Sequence, residues 1–456
     1  EIVLRQQAVA ELAPEVELRQ QLEVRTLGME PGEKKTPPDV EPFLRWAEGE
    51  PWLLRRPWLI WLARLLAPGT VFAAGAGLTG YWPGWPFILL FSINLSLSHL
   101  LLGKVMGIFD RISAREREFQ LYAEAMELAA SRPYAAAWLQ QNARWLSSQG
   151  TPAHRWMDLL HRRLELSDVR HSSLLHFPLQ TLLLWDFHVL ELLERWQRAA
   201  GSHARGWLAA LGELEAVSAL AGLRHDNPAW AFPEVTPGAD RFAARGLGHP
   251  LIAEARRVSN DVELGPAGTF LLVTGSNMSG KSTLLRSIGL NTLLAQAGGP
   301  VCAVGLRLPP VRLATSVLIE DSLADGVSFF MAELLRIRQI VDQADRAHER
   351  GETVLYLLDE ILRGTNSRER QIAVRRVLLH LLRRGAIGAV STHDLELAGL
   401  EELRAACVPV HFKETLHAGP DRPPMTFDYV LRPGVATTSN ALRLLEMVGI
   451  ATEGEA

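Results

Sequence analysis

The chain has 456 residues, a formal net charge of −4 and a hydrophobic content of 48%. This length accommodates about three domains, and the near-neutral charge excludes a global basic field of the kind that attracts nucleic acid, so any such surface would have to be local. The two cysteines, Cys302 and Cys407, have no metal-type spacing and indicate a reducing compartment with ordinary buried thiols.

The first fifty residues read as helices around a Pro/Gly/Lys-rich linker at 30–38. The chain begins without Met and in the middle of a helical pattern, so we expect an N-terminally truncated fragment. No signal peptide is visible.

Residues 58–107 are the most apolar part of the chain. The runs 65–81 and 85–103 carry no charge, and each has about the 17–20 residues that a helix needs to cross a bilayer. Aromatic residues at both ends of these runs suit two interfacial belts, and basic residues outside both ends indicate that the attached domains are cytoplasmic. The sequence therefore predicts a transmembrane helical hairpin. A buried helical hairpin is the alternative, because the runs also contain Gly69, Gly75, Gly77, Asn94 and His99.

Residues 112–223 are helical throughout by periodicity. A third apolar stretch, 173–196, contains too many polar groups for a lipid-facing span, and we predict one long packing helix there. From about residue 242, strands alternate with helices, which indicates an α/β nucleotide-binding domain. Strands are predicted at 269–273, 353–358, 386–391, 407–413 and 425–431, and helices at 281–296, 330–349, 368–384 and 439–448.

The first of these strands leads into GSNMSGKS at 275–282, the strand–loop–helix setting of a phosphate-binding loop. Its backbone N–H groups would form an anion cradle with the helix N-terminus. Lys281 is predicted to reach the outer phosphates and Ser282 to bind Mg²⁺. Only five of the 47 basic residues are lysines, and one lies here, where a compact ammonium fits and a guanidinium fork would not. The candidate nucleotide-binding residues of this segment are Gly275, Ser276, Asn277, Met278, Ser279, Gly280, Lys281, Ser282 and Thr283.

Two later strand ends supply acid–base groups. Asp359 ends an apolar strand and is placed to hold Mg²⁺, and Glu360 can then orient or deprotonate the attacking water. His393, in STHD at 391–394, is placed to contact the γ-phosphate or the water. Each signal alone is often structural, but downstream of a phosphate loop both favour catalysis.

Together, TGSNMSGKST, LLDEILRGTNS and STHD resemble the ATPase domain of the MutS family, a branch of the ABC ATPases. SFFMAE at 328–333, residues 411–450 and RQQAVAEL at 5–12 extend the resemblance. It implies a homodimeric, Mg²⁺-dependent ATPase that binds mismatched or branched DNA in repair. It also implies that Ser328 completes the partner subunit's ATP site, and that His249 and Asn260 contact the adenine.

The chain departs from the family pattern at several positions. Ser276 and Ser279 replace Pro and Gly, and Phe329 replaces Thr. Leu362 replaces Gly and Asn366 replaces Ser where two ATPase domains should meet, so we expect altered communication between the two sites. Neither a mismatch-reading domain nor a DNA clamp is evident. With its apolar hairpin, the chain resembles the membrane-associated MutS-like branch found in bacteria.

We therefore expect a C-terminal α/β P-loop ATPase domain of ABC type, preceded by an all-α lever domain with an inserted apolar hairpin. The predicted segments are a helical core fragment (1–50), the transmembrane hairpin (51–113), the helical core and lever (114–228) and the ATPase domain (229–456). We expect the cytoplasmic ATPase to be anchored to the inner membrane. The alternative function is a membrane-tethered ATP switch that acts on a protein partner, because the dispersed arginines do not demand DNA.

Overall fold

The computed structural model describes residues 1–27, 39–113, 116–147, 150–317, 329–362, 366–417 and 425–436. The chain divides into two compact units, one formed by residues 10–222 and the other by residues 1–9 and 223–456. A helical part precedes a mixed α/β part, which confirms the order predicted from periodicity. Residues 1–9 group with the α/β unit, whereas the sequence analysis assigned all of 1–50 to the helical core.

The helical part packs around large aromatic side chains. Trp46 and Trp196 stack with their ring centroids 6.0 Å apart, and Phe43 lies against Phe119. The helices that precede the sheets in the chain are α1 (Ile2–Leu12), α2 (Val16–Leu27), α3 (Glu41–Glu48), α4 (Pro57–Leu78), α5 (Trp85–Ser113), α6 (Glu116–Ala130), α7 (Ala137–Ser147), α8 (Ala153–Glu165), α9 (Ser173–Leu183) and α10 (Trp185–Asp226).

The stretch 173–196, predicted as one long helix, is instead broken at Leu184. This buried residue has a φ of 50°, a left-handed conformation that costs a side-chain-bearing residue about 1–2 kcal/mol. The Gln180 side chain accepts a hydrogen bond from the backbone N–H of Asp186 at 2.9 Å and so satisfies the polar backbone at the break. The prediction was wrong because periodicity carries no signal for a single left-handed residue. As a result, α9 is a separate short helix that packs against α4 and α5.

The helices α4 and α5 cover the two apolar runs that the sequence analysis singled out. In the described residues, α4 and α10 are each long and apolar enough to cross a membrane. The helix α5 is bent by 59° between its two parts. If both parts are counted as one span, α5 is a third such element. This criterion uses length and composition only. Since α10 carries buried acids that bind other parts of the helical unit, such as Glu194 with the backbone N–H groups of residues 52–54, it belongs to the protein core.

The α/β unit is organised on a mostly parallel sheet with the order β10-β9-β4-β8-β7-β6. Alternate side chains of β4 enter hydrophobic clusters on opposite faces, with Phe270 and Leu272 on one side and Leu271 and Val273 on the other. Burial on both faces explains the unbroken apolar run in the sequence. The strands are β4 (Phe270–Thr274), β6 (Val311–Ser316), β7 (Thr353–Asp359), β8 (Ile387–Ser391), β9 (Cys407–Leu416) and the antiparallel edge strand β10 (Met425–Pro433).

A second, smaller sheet has the order β1-β5-β2-β3 and was not predicted, because its strands are short and lack a clear apolar alternation. They are β1 (Glu234–Val235), β2 (Phe242–Leu247), β3 (Asn260–Leu264) and β5 (Gly305–Leu308). The five predicted strands of the large sheet are confirmed to within three residues at each end. The helices of this unit are α11 (Lys281–Ala297), α12 (Phe329–Glu349), α13 (Ser367–Arg383) and α14 (Glu401–Arg404), and the predicted helix at 439–448 lies outside the described residues.

Candidate nucleotide-binding site

Two glycines in the loop between β4 and α11 have backbone conformations that favour glycine. Gly275 has a φ of 143° and Gly280 a φ of 107°, both in the region that favours glycine. A Cβ on Gly275 would lie 2.8 Å from Ser279 Oγ and 3.2 Å from the Phe412 carbonyl oxygen. α11 then begins at Lys281, so its first N–H groups and the loop backbone share one end of the helix. This backbone geometry is the one that the predicted anion cradle would need.

Lys281 is held under this loop and is only 4% exposed. Its Nζ donates hydrogen bonds to the backbone oxygens of Gly275, at 3.0 Å, and Ser276, at 2.9 Å. The same atom lies 3.5 Å from Glu360 Oε1 and 3.4 Å from His393 Nε2. Three of the predicted catalytic side chains, from three separate segments of the chain, therefore meet around one ammonium group.

The Glu360 carboxylate is oriented by an unusual backbone conformation. Glu360 has a φ of 49°, and its N–H lies 3.1 Å from the Ser391 carbonyl oxygen and 3.2 Å from the Ser391 hydroxyl. This pairing with the end of the adjacent strand, β8, turns the Glu360 side chain towards Lys281. Left-handed non-glycine residues tend to cluster at functional sites, where the surrounding structure holds them.

His393 bridges the carboxylate and the loop. Its Nε2 lies 2.9 Å from Glu360 Oε1 and 2.9 Å from Asn277 Oδ1. A protonated Nε2 can donate to either of these acceptors, whereas an unprotonated Nε2 would accept from Lys281 Nζ, 3.4 Å away. The imidazole lies beside the loop for which the sequence predicted a contact with the γ-phosphate or the attacking water.

The two predicted metal ligands are oxygen donors, as Mg²⁺ requires. Ser282 lies in the first turn of α11 and lines the cleft above the loop. Asp359 ends β7, and its Oδ1 accepts a hydrogen bond from the Ser391 hydroxyl, which fixes the carboxylate at the sheet edge. Within the described residues, no group of three or more His, Cys, Asp or Glu side chains could hold a metal ion by itself. This donor set fits a Mg²⁺ ion that also binds phosphate oxygens and water.

A cleft of about 710 Å³ opens over the loop, large enough for a nucleotide. One wall contains the apolar residues Leu247, Leu251 and Val258, and His249 lies beside them. Burial, together with the nearby Arg286 guanidinium, lowers the pKa of His249. A neutral imidazole on an apolar wall is compatible with a flat base, although the described contacts of His249 are local, with its Nδ1 3.2 Å from the Leu251 N–H.

Asn260 also lines the cleft, and its amide binds the backbone of β10. Its Nδ2 donates to the Tyr429 carbonyl oxygen at 3.0 Å, and its Oδ1 accepts from the Leu431 N–H at 2.7 Å. Tyr429 lies in an irregular part of β10 with a φ of 55°, and it lines the cleft next to Gly280. Sequence analysis missed Tyr429, since nothing in MTFDYVLRP marks the position of a bulge. It remains a prediction that Asn260 contacts adenine.

Ser328 and residues 363–365 lie outside the described residues. A hydrogen bond nevertheless joins two residues near them, Glu333 and Leu362. Glu333, buried in α12, accepts a hydrogen bond at Oε1 from the Leu362 N–H at 2.5 Å. Leu362 is left-handed, with a φ of 59°. This conformation explains why glycine suits the position in the sequences that the chain resembles. The hydrogen bond between Glu333 and Leu362 shows that α12 fixes the loop after Glu360.

Residues 271–453 match the family model for MutS domain V. This match assigns the C-terminal part of the chain, and not the residues before it, to MutS domain V. The chain is 35% identical over 254 residues to the DNA mismatch repair protein MutS of Azorhizobium caulinodans, a match that covers 53% of this chain and 26% of that protein. Proteins with the same name from Aquifex pyrophilus and Natronomonas pharaonis are 31% identical over 249 residues and 32% over 245, covering 53% of this chain and 28% and 27% of theirs.

The match to MutS domain V lies within the α/β unit. The phosphate loop and both catalytic strand ends lie inside the residues that match MutS domain V, whereas His249, Asn260 and all of α2 to α10 lie outside them. The chain matches less than a third of the length of these MutS relatives.

Proposed function

We propose that this chain is a Mg²⁺-dependent ATPase of the MutS family. The observation that carries the proposal is the convergence of Lys281, Glu360 and His393 beside a glycine loop at the N-terminus of α11. The loop N–H groups bind phosphate oxygens, and Lys281 Nζ turns from the loop carbonyls to the outer phosphates. Glu360 Oε1 then orients a water and accepts its proton, while His393 Nε2–H donates a hydrogen bond to the transferred group. Bound Mg²⁺ would neutralise phosphate charge between Ser282 and Asp359.

The test is ATP hydrolysis by the purified full chain with Mg²⁺. Glu360→Gln should bind ATP and scarcely turn it over, because an amide cannot accept the proton. Glu352→Gln is the matched control, since Glu352 is exposed and pairs with Arg312 away from the cleft. Equal hydrolysis by both variants and the parent would remove Glu360 from its proposed role.

We further propose that two copies of the chain share each ATP site, with Ser328 contributed in trans. The resemblance to the family's signature segment suggests this arrangement. The hydrogen bond between Glu333 and Leu362 supports it, because it links the helix that follows Ser328 directly to the loop that follows Glu360. Closure of the dimer around one ATP would then be transmitted to the second ATP site through this one hydrogen-bonded contact.

We propose that the ATP-driven conformational change acts on bound DNA, because the relatives with a similar C-terminal domain are named DNA mismatch repair proteins. The test is ATP-dependent binding to duplex, mismatched and branched DNA over a range of salt concentrations. We expect an affinity that falls steeply with salt, as phosphate contacts require. Failure to bind any of these at low salt would favour the alternative, an ATP switch that acts on a protein partner.

We also propose that α4 and α5 anchor the chain in the inner membrane, with the ATPase domain in the cytoplasm. The support is the pattern of burial on α4. Apart from Leu59, the buried side chains are small, namely Ala63, Ala67, Thr70 and Ala73, while large apolar ones face outwards, namely Trp58, Trp61, Leu65, Phe72 and Leu78. This reverses the pattern of a helix in water, and it is the arrangement by which helices pack closely within lipid. A chain that stays soluble and monodisperse without detergent would rule it out.

A further inference from the structure

The helix α9 presents an apolar surface that nothing in the described residues covers. Leu174 is 90% exposed, Leu175 59% and Phe177 58%. Between Ser172 and Trp185 the segment contains no Asp, Glu, Lys or Arg, and its His176 pairs with Asp186 at 3.1 Å. Exposed apolar residues that cluster on one helix mark an interaction surface.

The opposite side of α9 is joined to α4 and α5 by a buried polar junction. Asn94 Nδ2 donates to the Thr181 carbonyl oxygen at 2.9 Å and lies 3.0 Å from Thr70 Oγ1. Gln180 Nε2 donates to Ser98 Oγ at 3.0 Å. Thr70, Asn94 and Ser98 all lie inside the uncharged runs of the hairpin, so α9 is at the same level as those runs. Interhelical hydrogen bonds of this kind hold helices together where no hydrophobic force between them exists.

An ion pair links the segments on either side of α9. Arg170, which precedes α9, and Asp186, which follows it, form a buried ion pair with Nε and Oδ1 3.1 Å apart. Arg170 also lies over the Phe109 ring, near the end of α5. With 11 residues, α9 is about 16 Å long, roughly half the thickness of a hydrocarbon core. It can therefore enter such a layer but cannot cross it.

We propose that α9 is a third membrane-embedded element, a short re-entrant helix that contacts lipid acyl chains beside the α4–α5 hairpin. The proposal rests on the hairpin being in the membrane. The occupant is lipid because the outward face of α9 lies next to the large apolar faces of α4 and α5 and is free of charge. Its polar atoms at the break are satisfied inside the protein, as a helix end at membrane depth requires, through Gln180 and the N–H groups of residues 184 and 186.

The experiment is fluorescence quenching of the full chain in vesicles of equal parts phosphatidylcholine and phosphatidylglycerol. Cys302 and Cys407 are replaced by alanine, and an environment-sensitive fluorophore is attached to one new cysteine at a time. Phe177→Cys reports α9, Phe72→Cys reports the hairpin, and Val304→Cys, on an exposed site of the α/β unit, is the control. Leu174→Cys is a second reporter on α9 if Phe177→Cys folds poorly. The quenchers are nitroxides on the lipid acyl chains and iodide in the water.

We expect the nitroxides to quench the label at position 177 as strongly as the label at 72 and several-fold more than the label at 304. Iodide should do the reverse. If iodide quenches the label at 177 while nitroxides quench the label at 72, α9 lies in water and this inference is wrong, while the hairpin proposal stands. If nitroxides quench neither label, both proposals are overturned.

Discussion

The buried Glu333 carboxylate in α12 holds the left-handed Leu362 by a 2.5 Å hydrogen bond to its N–H. Leu362 comes two residues after Glu360, which is itself left-handed and paired with Ser391. The loop that carries the proposed base is therefore fixed from two directions, by α12 and by β8. A leucine in this conformation costs about 1–2 kcal/mol, which the glycine typical of the family pattern would not. This chain offsets the cost with a buried acceptor.

Replacing Glu333 should therefore impair turnover more than ATP binding. Glu333→Leu removes the acceptor and leaves a buried N–H without a partner, a loss of about 1–3 kcal/mol. We expect the loop after Glu360 to relax, with kcat falling at least tenfold while the ATP dissociation constant changes little. Glu333→Gln keeps an oxygen at the same place and should retain most of the activity. Equal kcat in Glu333→Leu and the parent would show that the loop is held by other contacts.

Lys281 should be irreplaceable, even by arginine. Its ammonium is almost fully buried and contacts two backbone oxygens and the Glu360 carboxylate. The planar guanidinium of Lys281→Arg does not fit this space, so both Lys281→Arg and Lys281→Ala should lose at least tenfold in ATP affinity. Equilibrium binding of a fluorescent ATP analogue measures this. Lys413→Ala, on the exposed side of β9, should bind as the parent does.

Tyr429 should contribute to the affinity for the nucleotide and little to catalysis. It lines the cleft beside Gly280, and Asn260 fixes the backbone that follows its side chain, at the Tyr429 carbonyl oxygen and the Leu431 N–H. An aromatic wall is suited to stacking on a base, with a contribution of about 1 kcal/mol. Tyr429→Ala should therefore raise KM for ATP about fivefold and leave kcat within a factor of two. Tyr429→Phe keeps the ring and should behave as the parent, and a loss of activity in Tyr429→Phe would point to the hydroxyl instead.

The sequence indicates the positions of the candidate site residues better than the backbone conformations around them, for a physical reason. Gly275, Gly280 and Lys281 are specified by local chemistry, because a phosphate cradle needs those residue types at that spacing, and Glu360 and His393 follow buried strands whose order in a parallel sheet can be anticipated. The contributions of Tyr429, Leu362 and Leu184 depend on left-handed backbone at non-glycine residues. Such positions are held by distant contacts such as Glu333, which leave no local signal.

The composite site makes a specific prediction about mixed subunits. Ser328→Ala and Lys281→Ala should each depress hydrolysis in pure form. In a mixed dimer, one of the two sites would combine an intact loop with an intact Ser328, so mixing equal amounts should restore up to about a quarter of the parent rate. Steady-state phosphate release measures this restoration. A mixture as inactive as its components, under conditions where subunits exchange, would argue against the shared site.

The polar junction at Asn94 should contribute measurably to the stability of the helical unit. Asn94→Ala removes the hydrogen bonds to Thr70 and to the Thr181 carbonyl oxygen, which join α4, α5 and α9. Interhelical bonds of this kind contribute about 0.6–1.7 kcal/mol in lipid, so we expect a loss of that order in the free energy of unfolding, measured by tryptophan fluorescence in detergent micelles. Ser92→Ala is the matched control, because the Ser92 hydroxyl bonds only to the Ile88 carbonyl oxygen of its own helix. If both variants unfold at the same denaturant concentration as the parent, the junction does not hold the three helices together, and packing of the small residues on α4 must do so.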